Sequence, residues 1–167
     1  MVFSSIASEY TGLAGGYRYH RVLKKRNLPP VMIHDATLEE TDILRPQFDK
    51  RGGLLPVVVQ DYQSYQVLMV GYVNELALQQ SLDRKMATFW STSRNALWTK
   101  GETSGDYLRL HEARIDCDQD AVLFLVERMG GGVCHTKDAT GHARSSCFYR
   151  RVNSDSRTLR FQDTLST

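Results

Sequence analysis

The amino-acid sequence predicts an α+β fold, a mainly antiparallel β-sheet with one or two helices. Two observations carry this expectation. Short β-prone apolar runs recur from residue 54 to residue 152, and one segment, 75–84, combines strong helix formers with a capping residue. Residues 1–30 hold Gly12, Gly15, Gly16, Pro29 and Pro30 with little periodicity, so an irregular arm is expected. Residues 31–53 lead into the denser region and end at Gly52-Gly53. Leu54–Gln60 is valine-rich and predicts a buried strand. Asp61–Tyr65 is polar enough to turn, and Gln66–Val73 is the expected antiparallel partner. Asn74 is a good N-cap for a helix over Glu75–Arg84, with Leu78 and Leu82 on one face. Thr88–Thr92 is aromatic and β-prone. Tyr107–Cys117 and Ala121–Arg128 predict two further strands, the second ended by Gly130, Gly131 and Gly132. Phe148–Val152 is a last short strand candidate.

Composition narrows the function classes. Hydrophobic residues make up 41% and charged residues 24%, as in a globular protein in water. No apolar run approaches the ~20 residues that span a bilayer. The net charge of +2 gives no argument for nucleic acid or for a membrane surface, so neither is expected as a partner. Arg18, Arg21, Lys24, Lys25 and Arg26 form a basic, Ser-preceded stretch. It reads either as an organelle leader or as a loose terminal extension. Residues 1–17 lack the continuous apolar centre of a secretory signal. The three cysteines are odd in number, which favours free thiols in a reducing compartment, the cytoplasm.

Residues 116–120 read Asp-Cys-Asp-Gln-Asp. In an extended chain Asp116, Asp118 and Asp120 share one face and Cys117 takes the other. Three carboxylates together repel unless a cation lies between them, and a hard ion such as Mg²⁺ suits all-oxygen ligands. A solvated acidic turn is the alternative. The EF-hand pattern is absent.

Cys117, Cys134 and Cys147 contain no Cys-x-x-Cys pair, so spacing alone is a weak zinc signal and inert buried thiols are the alternative. Against that alternative, Cys134 follows a triple glycine and precedes His135, and Cys147 follows a polar, Gly-containing loop. Three thiolates on one Zn²⁺ leave a fourth position for water, as in a catalytic site, with His135 the nearest general base. If Cys117 points away from the aspartate face, either the strand bulges or a second copy of the chain completes the zinc site. A dimer sharing a metal is therefore expected.

Residues 90–105, WSTSRNALWTKGETSG, mix hydroxyls, cations and glycines. Ser91, Ser93, Thr103 and Ser104 with Arg94 and Lys100 could hold phosphates without a Walker sequence. Trp90 or Trp98 could stack on a purine. A polar surface loop with core tryptophans is the alternative.

In combination, LLPVVVQD (54–61), VLMVGYVNE (67–75), WSTSRNALWTKGETSG, IDCDQDA (115–121), CHT (134–136) and SCFYR (146–150) resemble the phosphoribosyl-AMP cyclohydrolase family. The resemblance divides the chain into an extension, 1–37, a cyclohydrolase domain, 38–152, and a C-terminal tail, 153–167. It implies an intertwined homodimer and the third step of histidine biosynthesis, hydrolytic opening of the N1–C6 bond of phosphoribosyl-AMP. It implies Mg²⁺ on Asp116, Asp118 and Asp120. It implies Zn²⁺ on Cys134 and Cys147 of one subunit and Cys117 of the other. His135 is the expected catalytic proton shuttle, and Trp90, Ser91, Arg94, Lys100, Glu102, Thr103 and Ser104 the expected substrate contacts. The loop CHTKDATGHARSSC is several residues longer than the family's usual CHTGRRSC and adds His142. Loop closure entropy changes slowly with length, so the ligands tolerate the insertion. Two rivals remain. A zinc deaminase lacks support because His-x-Glu and Pro-Cys-x-x-Cys are missing. A non-enzymatic, zinc-stabilised nucleotide-binding module would need a closed metal shell.

Overall fold

The computed structural model describes residues 36–162. The expected arm over 1–30, the basic stretch within it and the last residues of the tail, 163–167, lie outside the described residues. The elements are α1 (Ala36–Glu39), a 3₁₀ turn (Phe48–Arg51), β1 (Leu55–Asp61), β2 (Val67–Val73), α2 (Glu75–Arg84), β3 (Thr88–Ser91), β4 (Ala96–Thr99), β5 (Leu108–Ile115), β6 (Val122–Arg128), β7 (Arg150–Asn153) and β8 (Thr158–Phe161). The α+β class follows. Among the described residues no helix is long and apolar enough to cross a membrane.

A four-stranded sheet has the order β2-β1-β6-β5. The outer pairs, β1–β2 and β5–β6, are antiparallel, while the central pair, β1–β6, is parallel. Parallel neighbours need a long connection. Here the connection contains α2 and the small β3–β4 sheet. Strand β1 alternates as expected, with Leu55, Val57, Val59 and Asp61 buried and Val58 facing out. A register shift at Val59/Gln60 lets the consecutive Leu68 and Met69 of β2 both turn inward, the usual effect of a bulge. The core joins these strands to Phe89, Leu108 and Phe124.

The helix forms where its cap predicts. Asn74 Oδ1 accepts a hydrogen bond from the Ala77 N–H at 2.8 Å. Leu78 is buried and Leu82 packs against the core. Ser81, also buried, ties α2 to β3: its hydroxyl lies 2.8 Å from Ala77 O and 2.9 Å from Thr88 O, and accepts from Thr88 N at 3.0 Å.

Three local expectations change. Residues 96–99, read as part of a polar loop, form β4 because Phe89 and Trp90 of β3 pair with Trp98 and Leu97. Residues 158–161 of the tail form β8, the partner of β7. Strand β5 ends at Ile115, so Asp116–Gln119 is a turn rather than extended chain: Asp116 N donates to Ala121 O at 3.1 Å and Gln119 N to Asp116 O at 3.2 Å.

Candidate active site

The turn after β4 is held by glycine. Gly101 sits at φ +94°, and a Cβ there would lie 2.4 Å from Tyr107 N. The Gly105 N–H closes the turn onto Gly101 O at 2.8 Å. Lys100 is pulled inward by this turn and donates from Nζ to Asp106 O at 3.1 Å. Burial holds its ammonium below its ordinary pKa, while Asp106, Cys147 and Cys134 act in the opposite sense. A buried cation thus faces both thiols.

The thiols arrive on two separate segments. Arg144 O accepts from Val133 N and Cys134 N, each at 2.9 Å, and this fixes the first. The second docks on β2, with Cys147 N donating to Leu68 O at 2.7 Å and Ser146 Oγ to Val67 O at 2.8 Å. The two sulfurs are near enough to act on each other's charge. Burial raises the Cys134 thiol, but Thr136, Cys147 and Arg144 outweigh it and leave the group below its usual value. Cys147 is exposed as a residue, but partial desolvation of its thiol and the nearby Cys134 push it up to about 11, with Lys100 opposing.

Both cysteines line one cavity of about 350 Å³ together with Trp98, Lys100, Thr103, Ser104, His135 and Lys137. A neighbouring cavity of about 380 Å³ is lined by Trp90, Ser91, Ser93 and Arg94. Met69 and Trp98 line both, so the two cavities adjoin at these residues. Arg94 is held by Ser91 Oγ, 3.3 Å from its Nε, and its guanidinium lies 5.9 Å from the Trp98 ring centre. Glu102 is exposed and lines neither cavity. His142 is exposed and bonded within its own loop, its Nδ1 2.8 Å from Thr140 Oγ1.

The acidic residues converge elsewhere. One oxygen each from Asp116, Asp118 and Asp120 lies within 4.8 Å of the others. The strand alternation expected to gather them is absent; the turn gathers them instead. Asp116 Oδ1 accepts from Asp120 N at 2.8 Å and Ala121 N at 2.9 Å. Lys50 Nζ lies 2.8 Å from Asp118 and 3.9 Å from Asp120, and Arg51 Nη2 lies 3.0 Å from Asp120. The Lys50 bond holds the Asp118 carboxyl below its ordinary value. The donors suit a hard divalent ion, although protein cations balance their charge in this arrangement. Cys117 is exposed on this turn and does not line the cavity of Cys134 and Cys147. Two thiolates of one chain fit a soft ion such as Zn²⁺, but they fill only half of a tetrahedral shell.

Sequence reasoning passed over Asp106, Thr136, Lys137 and Arg144. Lys137 lines the thiol cavity, and Asp106 joins the Lys100 turn to Gly131, whose N–H reaches its Oδ1 at 3.1 Å. Only Thr136 and Lys137 carried a signal, as neighbours of Cys134-His135.

The model of the phosphoribosyl-AMP cyclohydrolase family matches residues 69–149. A phosphoribosyl-AMP cyclohydrolase of Hyphomonas neptunium is 47% identical over 123 residues, 74% of this chain and 88% of the relative. One from Rhodopseudomonas palustris is 49% identical over 127 residues, 76% of this chain and 80% of the relative. One from Archaeoglobus fulgidus is 49% identical over 109 residues, 65% of this chain and 94% of the relative. Both cavities and the acidic turn fall within the span of the family match.

Proposed function

The chain belongs to the phosphoribosyl-AMP cyclohydrolase family, and from that premise we propose how its residues divide the work of opening a purine ring. It is an enzyme that hydrolyses phosphoribosyl-AMP in histidine biosynthesis. The named relatives do not favour a non-enzymatic nucleotide-binding module.

One observation carries the assignment of roles: two cavities meet at Trp98, one holding both thiols and His135, the other holding Arg94. The substrate is a purine with a phosphorylated ribose on each side. Its ring fits against Trp98 at the junction. Ser91, Ser93 and Arg94 then hold one phosphate, and Thr103, Ser104 and Lys137 the other. Lys100, buried opposite the sulfurs, balances thiolate charge rather than holding phosphate. Glu102, outside both walls, has no direct contact to make in this arrangement.

Water adds to C6 of the ring, the N1–C6 bond breaks, and N1 gains a proton as C6 becomes a carboxamide. A ring nitrogen of His135 takes the proton from the water and returns it to N1. Cys134 and Cys147 would hold Zn²⁺, with Cys117 of a second copy as third thiolate, and Asp116, Asp118 and Asp120 would hold Mg²⁺. When bound, zinc supplies Lewis-acid activation of the water. The exposure of Cys117 and the outward Val58, Val67, Val70 and Tyr72 of the sheet support a homodimer. A cytoplasmic location belongs to the same proposal.

The test is Cys134→Ala. Ring opening, followed by absorbance, and zinc content should be lost together, and a chelator should stop the unaltered enzyme. Full turnover by the variant refutes the assignment. A monomeric mass in solution with zinc and activity intact refutes the shared site.

A further inference from the structure

Beyond the aromatic and hydroxyl walls, the segment 133–137 that carries Cys134 and His135 has no regular secondary structure except one isolated bridge, Lys137 to Ala143. Its backbone is held by one residue. Arg144 O accepts from both Val133 N and Cys134 N at 2.9 Å, and Arg144 N donates to Thr136 O at 3.1 Å. Gly132 lies close against the same stretch, since a Cβ there would lie 2.5 Å from Ala143 O. Where Arg144 sits therefore decides where Cys134 and His135 sit.

The Arg144 side chain is gripped from the C-terminal hairpin. Its guanidinium carbon lies 4.1 Å from the Tyr149 ring centre and 5.4 Å from that of Phe161. The two rings are themselves neighbours, 5.9 Å apart. Phe161 is brought there by β8, where it pairs with Arg150 of β7, and Gln162 N donates to Tyr149 O at 2.8 Å. The Arg144 Nε is buried and has no hydrogen-bond partner among the described residues. Ring faces are what the planar cation has in place of such a partner. Phe161 lies beyond the family match, which ends at residue 149.

We propose that Arg144 is a positioning residue for Cys134 and His135, and that the β7–β8 hairpin sets its place through the ring faces of Tyr149 and Phe161. The inference rests on the reading that Cys134 and His135 lie in the active site. Arg144 acts through the backbone bonds of the 133–136 segment, beside the pull of its charge on the Cys134 thiol, which Arg144→Lys retains.

The decisive variants are Phe161→Ala and Phe161→Tyr, made in the full chain, with Val152→Ala on the same hairpin as a control. Two quantities are read. One is kcat and KM for phosphoribosyl-AMP. The other is the rate at which iodoacetamide labels Cys134 in the protein as purified, measured against free cysteine under the same conditions. Phe161→Ala should lower kcat about tenfold at near-constant KM and raise Cys134 labelling relative to free cysteine several-fold. Phe161→Tyr should restore both, and Val152→Ala should change neither. Arg144→Lys, which keeps the charge but loses the stacking plane, should behave like Phe161→Ala. If Phe161→Ala lowers only thermal stability, with labelling and kcat at wild-type values, the proposal is overturned. Turnover by the wild-type chain tests the functional reading separately; the labelling rates decide the clamp whether or not turnover is seen.

Discussion

Ser81→Ala removes one oxygen from a fully buried position and should destabilise the fold far more than its size suggests. Lys100 N donates to Ala87 O at 3.0 Å, so the antiparallel ladder pairs residue 87 with residue 100. The next pair, Thr88 with Thr99, is then of the non-hydrogen-bonded kind, and the backbone groups of Thr88 turn away from β4. Both turn toward Ser81, at 3.0 Å for the N–H and 2.9 Å for the carbonyl. Alanine leaves them without that partner in a place closed to water, since Ser81 is 0% and Thr88 1% exposed. A buried group left unpaired costs about 1–3 kcal/mol, which puts the total at roughly 2–4 kcal/mol. With a urea slope of about 2 kcal/mol per molar, the midpoint should fall by about 1–2 M with the slope unchanged. Ser156→Ala, which removes an exposed hydroxyl bonded to Thr158, should stay within about 0.5 kcal/mol. A Ser81→Ala loss as small as that would refute the argument that this hydroxyl is what secures β3, and with it Trp90 and Ser91, to the helix.

Two further outcomes follow from the same structure. Burial alone would raise the Asp61 carboxyl, but bonds from the Ser64 N–H and hydroxyl, with Arg128 and the Gln63 N–H, leave it below its ordinary 3.8. A depressed folded value adds stability above the unfolded pKa and loses it as pH falls through the folded one. Asp61→Asn should therefore cost roughly 1–2 kcal/mol at pH 7, with the gap to wild type closing as pH drops below about 4; urea titrations at both pH values check it. Gly101→Ala needs a side chain at φ +94° and 2.4 Å from Tyr107 N, so it should cost more than about 1 kcal/mol and raise KM by displacing Thr103 and Ser104. Gly105→Ala, where a Cβ meets nothing within 4 Å, should cost less, and thermal melts with steady-state kinetics compare the two.

Local chemistry alone determined a good deal. Asn74 and the helix formers behind it fixed α2, and the valine alternation fixed β1, because capping and side-chain period act over a few neighbouring residues. The combination of Lys100–Gly105 with Asp116–Asp120 and the cysteine segments was enough to point to the family. Tertiary structure decided the rest. The parallel pairing of β1 with β6 depends on contacts between strands far apart in sequence, which no local period encodes. The aspartates were expected together and are together, but through a turn, because β5 stops at Ile115 where its pairing with Val122 ends. Trp98 carries no local mark that distinguishes it from Trp90; only the register of β3 against β4 sets it between the two cavities. Arg144 looked like one more charge in a long polar loop. Its backbone bonds to Cys134 and the rings of Tyr149 and Phe161 against its side chain join three segments, and the free energy of such an arrangement lies in contacts between segments, not in any one of them.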